Sequence, residues 1–203
     1  MKPILFKGEM VRAILDGRKT MTRRVIKPKP THRVIDVGDA WYDADGIMAG
    51  AALRCPYGQP GDRLWVRETW QDGSDTNGRR CVVFKADGNG IAALCCEDGN
   101  GDPVGLGLSV TPMEPSRWRP SIHMPRWASR ITLEIVSVRV ERLCQITEQD
   151  ALAEGVSDSL DYCDPETPSA RMQFKDLWDS INAKRGFVWD SNPYVWALEF
   201  KKL

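Results

Sequence analysis

The chain has 203 residues, 42% of them hydrophobic and 28% charged, with 28 basic and 28 acidic side chains that cancel to zero net charge. That length fits a single domain, and the composition is that of an ordinary globular protein. A transmembrane helix is excluded, because no apolar run nears the roughly 20 residues that a bilayer span needs.

Met1 to Lys7 holds only the apolar run Ile4-Leu5-Phe6, read as a first strand. A signal peptide is therefore not expected, and a cytoplasmic location is. A helix follows over Glu9 to Asp16, with Met10, Val11, Ile14 and Leu15 on one face and Gly17 placed to end it in a left-handed cap. Lys27 to Gly61 reads as loop, punctuated by Pro28, Pro30, Pro56 and Pro60. Arg63 to Trp70 alternates as a strand, and Val82-Val83-Phe84 reads as another. Asp87 to Pro120 is rich in glycine and proline and reads as an insertion or flap.

Ile131 to Arg142 is the clearest strand. Its apolar set shifts phase from Ile131, Leu133, Ile135 to Val136, Val138, Val140, the pattern of a β-bulge. Thr147 reads as the N-cap of a short helix, with Asp150 as its acidic partner and Gly155 at its end. A longer helix over Arg171 to Asn182 carries Phe174, Leu177, Trp178 and Ile181 at helical spacing. Tyr194 to Phe200 closes the chain as a strand. Separated strands with short helices between them predict an α+β protein built on a small mixed barrel.

Charge is segregated although the total is zero. Gly17 to Ile35 carries Arg18, Lys19, Arg23, Arg24, Lys27, Lys29 and Arg33 with no acid. Pro115 to Leu133 carries four arginines and no acid, with Trp118 and Trp127 among them. Leu143 to Ala170 carries seven acids and no lysine or arginine. Such blocks either focus potential toward a phosphate-bearing partner or neutralise one another in the fold. The six cysteines include no Cys-x-x-Cys pair and the two histidines lie far apart. Free thiols are expected, with no metal site and no cofactor.

Three places could carry chemistry. Lys19 among Arg18, Arg23 and Arg24 is either a lysine of lowered pKa that activates Thr22, or a phosphate-binding cation beside a turn-capping threonine. Glu154 stands at the unfavourable, negative end of its helix, either for function or simply solvated. In Met124-Pro125-Arg126-Trp127-Ala128-Ser129-Arg130, Trp127 is either a base-stacking surface beside guanidinium groups or a core anchor.

These motifs bring a family into view. Gly17-Arg18-Lys19-Thr20-Met21-Thr22-Arg23-Arg24 resembles the G-x-K-x-x-T-x-R signature of ASCH-domain proteins, a branch of the PUA-like superfamily. The Gly61-Asp62 turn, the Thr147-Glu148 helix containing Glu154 and the Tyr194 to Phe200 strand match in the same order. Pro60 to Glu68 and Met124 to Arg130 further resemble the larger ASCH-like proteins of bacteriophages and prophages. The resemblance implies one ASCH/PUA-like β-barrel domain over 1–203, with short flanking helices and large insertions at about 27–59 and 72–119.

It also implies an activity. One bacterial branch of the family hydrolyses the amide of N4-acetylcytidine with a lysine, a threonine and a glutamate, which fall here on Lys19, Thr22 and Glu154. Arg24 would then steady developing negative charge, and Arg23, Arg126, Trp127 and Arg130 would contact substrate or nucleic acid. Other members are proposed RNA binders, so the alternative is a non-catalytic module that binds RNA or DNA through a modified or flipped-out base. A third possibility is a protein-binding role resting on the eight tryptophans.

Overall fold

The computed structural model describes residues 1–30, 33–36, 41–44, 52–75, 80–88, 93–96, 103–107, 110–112, 117–156 and 169–203. Its strands are β1 (Lys2–Leu5), β2 (Met21–Val25), β3 (Arg33–Asp36), β4 (Trp41–Ala44), β5 (Ala52–Leu53), β6 (Arg63–Arg67), β7 (Trp70–Asp75), β8 (Arg80–Phe84), β9 (Ala93–Cys96), β10 (Pro103–Gly107), β11 (Val110–Pro112), β12 (Thr132–Arg142) and β13 (Tyr194–Lys202). Its α-helices are α1 (Gly8–Leu15), α2 (Glu148–Ala153) and α3 (Ala170–Asn182). The fold is α+β, with a mixed five-stranded sheet ordered β1-β6-β12-β13-β2, a second ordered β10-β9-β8-β7-β11 and a small one ordered β3-β4-β5. These orders are linear. Closure requires the edge strands to pair with each other, and among the described residues none do, so the expected barrel is corrected to open sheets. No described helix is long and apolar enough to cross a membrane.

The backbone divides into two compact units. The first comprises Met1–Asp16, Arg63–Leu133 and Lys202–Leu203. Within it β1 runs parallel to β6, Ile4 opposite Val66, and both side chains are buried. α1 buries Val11, Ala13 and Ile14, the apolar face its spacing predicts. The stretch expected as one strand over Arg63 to Trp70 is two, because the chain breaks pairing at Glu68 and Thr69 before β7 begins. β7 and β8 are antiparallel, Trp70 opposite Phe84, and Trp70, Val82 and Phe84 from them form a core with Met124 and Ala128. The expected flap over Asp87 to Pro120 contributes β9, β10 and β11. Sheet pairing is made by backbone groups, which glycine-rich sequence supplies as well as any other.

The second unit comprises Gly17–Asp62 and Glu134–Lys201. Here too an expected loop, Lys27 to Gly61, contains strands, β3 to β5. β2 and β13 are antiparallel, with Thr22 opposite Leu198 and Arg24 opposite Trp196. The Thr147 hydroxyl accepts from Asp150 N at 3.1 Å and caps α2, as its sequence position predicts. Gly155 follows the helix with φ at 87°. α3 begins at its Ser169 cap and buries Phe174 and Trp178 against Leu143, Ile146, Ala151, Trp189 and Val195. In β12 the expected phase shift does not turn Val136 inward: it is 46% exposed beside buried Ile135. Asp158, Asp161, Cys163, Asp164 and Glu166 lie outside the described residues.

Candidate active site

Lys19 sits between α1 and β2, on a segment fixed from two sides. Thr20 N donates to Ala153 O at 2.9 Å, and Phe200 N donates to Thr20 O at 2.8 Å. Gly17, with φ at 77°, supplies the left-handed turn that leads into it. The Lys19 side chain is buried, and Nζ donates to Met21 O, Glu154 O and Glu154 Oε2, each at 2.7 Å. All three ammonium protons are thereby engaged. Burial lowers the pKa of this amine most; Glu154 opposes that shift, and Arg24 and Arg23 add to it by like-charge repulsion.

Glu154 is the C-cap of α2. The sequence leaves a carboxylate at a helix C-terminus without cause; the structure supplies two cations there. Lys19 bonds both the carboxylate and the final carbonyl, and Arg23 Nη1 reaches Glu154 Oε1 at 3.4 Å. Arg18 adds a bond to Gly155 O at 3.3 Å.

Arg23 is expected to touch substrate or nucleic acid, but its partners lie within the unit. Its side chain is fully buried, with Nη2 2.6 Å from Glu141 Oε1 and 2.7 Å from Asp150 Oδ2. Its guanidinium stands 6.0 Å from the centroid of the Phe174 ring. Arg139, half exposed, lies 3.5 Å from Asp150 Oδ2 and 3.9 Å from Glu141 Oε2. The basic block at Lys19 and Arg23 thus meets the acidic block at Asp150 and Glu154. In this unit the two segregated charges neutralise one another.

Thr22 is buried and points to the opposite face of β2 from Arg23. Among the described residues its hydroxyl makes no hydrogen bond to Lys19 or Glu154, so the three expected catalytic groups are joined only at the lysine and the glutamate. Arg24 shares the Thr22 face and is half-buried. Burial lowers its pKa most, Tyr57 and Glu154 oppose this, and Arg185 adds to it.

The other expected contact residues belong to the first unit. Arg130 donates Nε and Nη2 to Glu68 at 2.9 and 3.0 Å, and Nη1 and Nη2 to Asp87 at 2.6 and 2.9 Å. It also lies 4.0 Å from the Phe84 ring centroid. Burial works against its charge, but Glu68 and Asp87 more than offset that and hold its pKa above the usual value. Glu68 is 1% exposed, and burial pushes its carboxyl up against the pull of Arg130. Two carboxylates share one cation here, and Glu68 is the deeper of them. Arg126 is exposed and bonds Thr132 Oγ1 at 3.3 Å and Ser129 O at 3.5 Å. Trp127 is 43% exposed and meets buried Trp70 edge-on at 6.1 Å.

Sequence reasoning missed Glu68, Asp87 and Glu141. The available signal was thin: an acid inside an apolar strand context, at Glu68 and again at Glu141. No family model matches the chain, and no curated protein or solved structure does.

Proposed function

We propose that the protein is an amide hydrolase that removes an acyl group from N4 of a cytosine nucleoside or nucleotide. The observation that carries this reading is the 2.7 Å contact between Lys19 Nζ and Glu154 Oε2, beside the strand that bears Thr22. Proton transfer across that contact turns an ion pair into an amine and a carboxylic acid, and burial of Lys19 lowers its pKa in that direction. The amine then takes the Thr22 hydroxyl proton as Thr22 Oγ1 bonds to the acyl carbon. The carboxyl gives its proton to the exocyclic nitrogen as the C–N bond breaks. Lys19 and Glu154 are again ammonium and carboxylate, with an ester on Thr22. A second proton transfer readies the pair for water, which cleaves the ester, frees the carboxylic acid and restores the hydroxyl. Arg24, on the Thr22 face, would stabilise the oxyanion in both steps. The resemblance of Gly17 to Arg24 to the ASCH signature supports the same assignment.

Purified protein incubated with N4-acylated and unmodified cytidines, followed by mass spectrometry, tests this directly. Wild type is expected to release the deacylated base, and Thr22→Ala to lose at least about a thousandfold in kcat while still binding ligand. Absence of product from every acylcytidine would overturn the reading.

A second reading draws on the first unit. Trp118 and Trp127 are 37% and 43% exposed, Lys85 Nζ lies 5.9 Å from the Trp118 ring and the Arg119 guanidinium 4.7 Å from that of Trp70. Aromatic faces among cations suit stacking of single-stranded bases with phosphate contact. Affinity for an oligonucleotide that falls steeply with salt and is lost in Trp118→Ala/Trp127→Ala supports it; salt-independent or absent binding overturns it.

A further inference from the structure

We propose that Arg23 is a positioning residue, which holds the Glu154 carboxylate in register with Lys19 and sets how tightly that pair keeps its proton. The inference rests on the hydrolase reading and goes beyond it, because Arg23 itself touches neither the acyl group nor the base.

The geometry is a chain of alternating charge that runs inward. Arg139 stands half exposed at its outer end, against Asp150 and Glu141. Those two carboxylates take Arg23 Nη2 at 2.7 and 2.6 Å, and Nε donates to Glu141 Oε1 at 2.8 Å. Arg23 Nη1 then faces Glu154 Oε1 at 3.4 Å, and the other Glu154 oxygen holds Lys19 Nζ at 2.7 Å. Each Glu154 oxygen therefore has a different cation. A carboxylate gripped at both oxygens cannot rotate without losing one of them, so Arg23 fixes which oxygen Lys19 meets. The planar guanidinium suits this role, because it spans three carboxylates from one buried position, as an ammonium could not.

The charges facing Lys19 come from two elements: Glu154 at the end of α2, and Arg23 and Arg24 on β2. Behind Arg23 stand Glu141 and Arg139 of β12 and Asp150 of α2, and behind Arg24 stand Tyr57 and Arg185. Arg23 repels the Lys19 proton, and Glu141 tempers that repulsion by neutralising Arg23. Replacing each should therefore move Lys19 in opposite directions.

The test is the pH titration of the Lys19 amine in the intact protein, followed by nitrogen NMR of Nζ, with pH–rate profiles measured alongside. Arg23→Gln is expected to raise the Lys19 titration, and Glu141→Gln to lower it by a smaller step. In Arg23→Gln the falling, alkaline limb of kcat should move up by the same amount, because the pair needs its one proton for the leaving nitrogen, with kcat at neutral pH down at least about tenfold and KM within about threefold. Arg23→Lys keeps a charge without the fork, so it should leave the titration near wild type and still lose kcat. If Arg23→Gln fails to fold, Glu141→Gln and Arg23→Lys carry the test. A Lys19 titration that Arg23→Gln and Glu141→Gln leave unmoved, or move in the same direction, overturns the proposal. If wild type turns over no acylcytidine, the hydrolase reading fails, and the titration still decides whether Arg23 governs the pair.

Discussion

Arg130 in the first unit and Arg23 in the second are both buried among carboxylates, yet they differ in what else shares those acids. Arg130 faces Glu68 and Asp87, and among the described residues no second cation joins them. Arg23 faces Glu141, Asp150 and Glu154, and the last of these also holds the Lys19 amine. A guanidinium keeps its proton at any pH at which the protein folds, so the Arg130 cluster is a fixed clamp. An amine does not. The second cluster therefore holds a cation whose charge can change with pH, and the first does not.

The largest expected effect tests the clamp. Arg130→Met leaves buried Glu68 and half-buried Asp87 with no cation, which should cost roughly 3–5 kcal/mol in urea denaturation. A loss below about 1 kcal/mol would mean that Glu68 and Asp87 find water instead, and the contrast with Arg23 would break.

A smaller effect sharpens it, through the pH dependence of stability. The Glu68 pKa is raised in the folded state. Between the unfolded carboxyl value, about 4.3, and that raised value, the native protein binds a proton that the unfolded chain has released. Stability must therefore fall as pH rises through that window. The Lys19 pKa is lowered instead. Between its lowered value and the ordinary lysine value, about 10.4, the unfolded chain holds a proton the native protein lacks, so stability must rise with pH. Each limb is worth about 1.4 kcal/mol for every unit of displacement. Denaturation followed from acid to alkaline pH should show the falling limb vanish in Glu68→Gln and the rising limb vanish in Lys19→Met. Limbs of the same sign would contradict the assignment.

How much of this could be read from the chain alone depended on the range of the interaction. Phe174, Leu177, Trp178 and Ile181 repeat at helical spacing, and α3 follows them; Thr147 and Asp150 are three residues apart, and the cap forms. Both depend on neighbours along the chain. β3, β4 and β9 are four residues long and β5 two, too short for an apolar alternation to show, and β10 and β11 carry the glycine or proline that breaks one, while backbone pairing persists. Lys19 and Glu154 were singled out separately, but their meeting across 135 residues came only from the resemblance. The Arg130 pairings, across 62 and 43 residues, left no mark in local pattern.

The bonds at Thr20 have one more consequence. Its N–H belongs to the end of α2 and its carbonyl to β13, so three stretches of backbone are stitched at a single exposed residue. Such shared bonds favour joint opening of the terminal turn of that helix and the start of β2 over independent fraying. Local melting there would part Lys19 from Glu154 in the same event, and refolding would rejoin them.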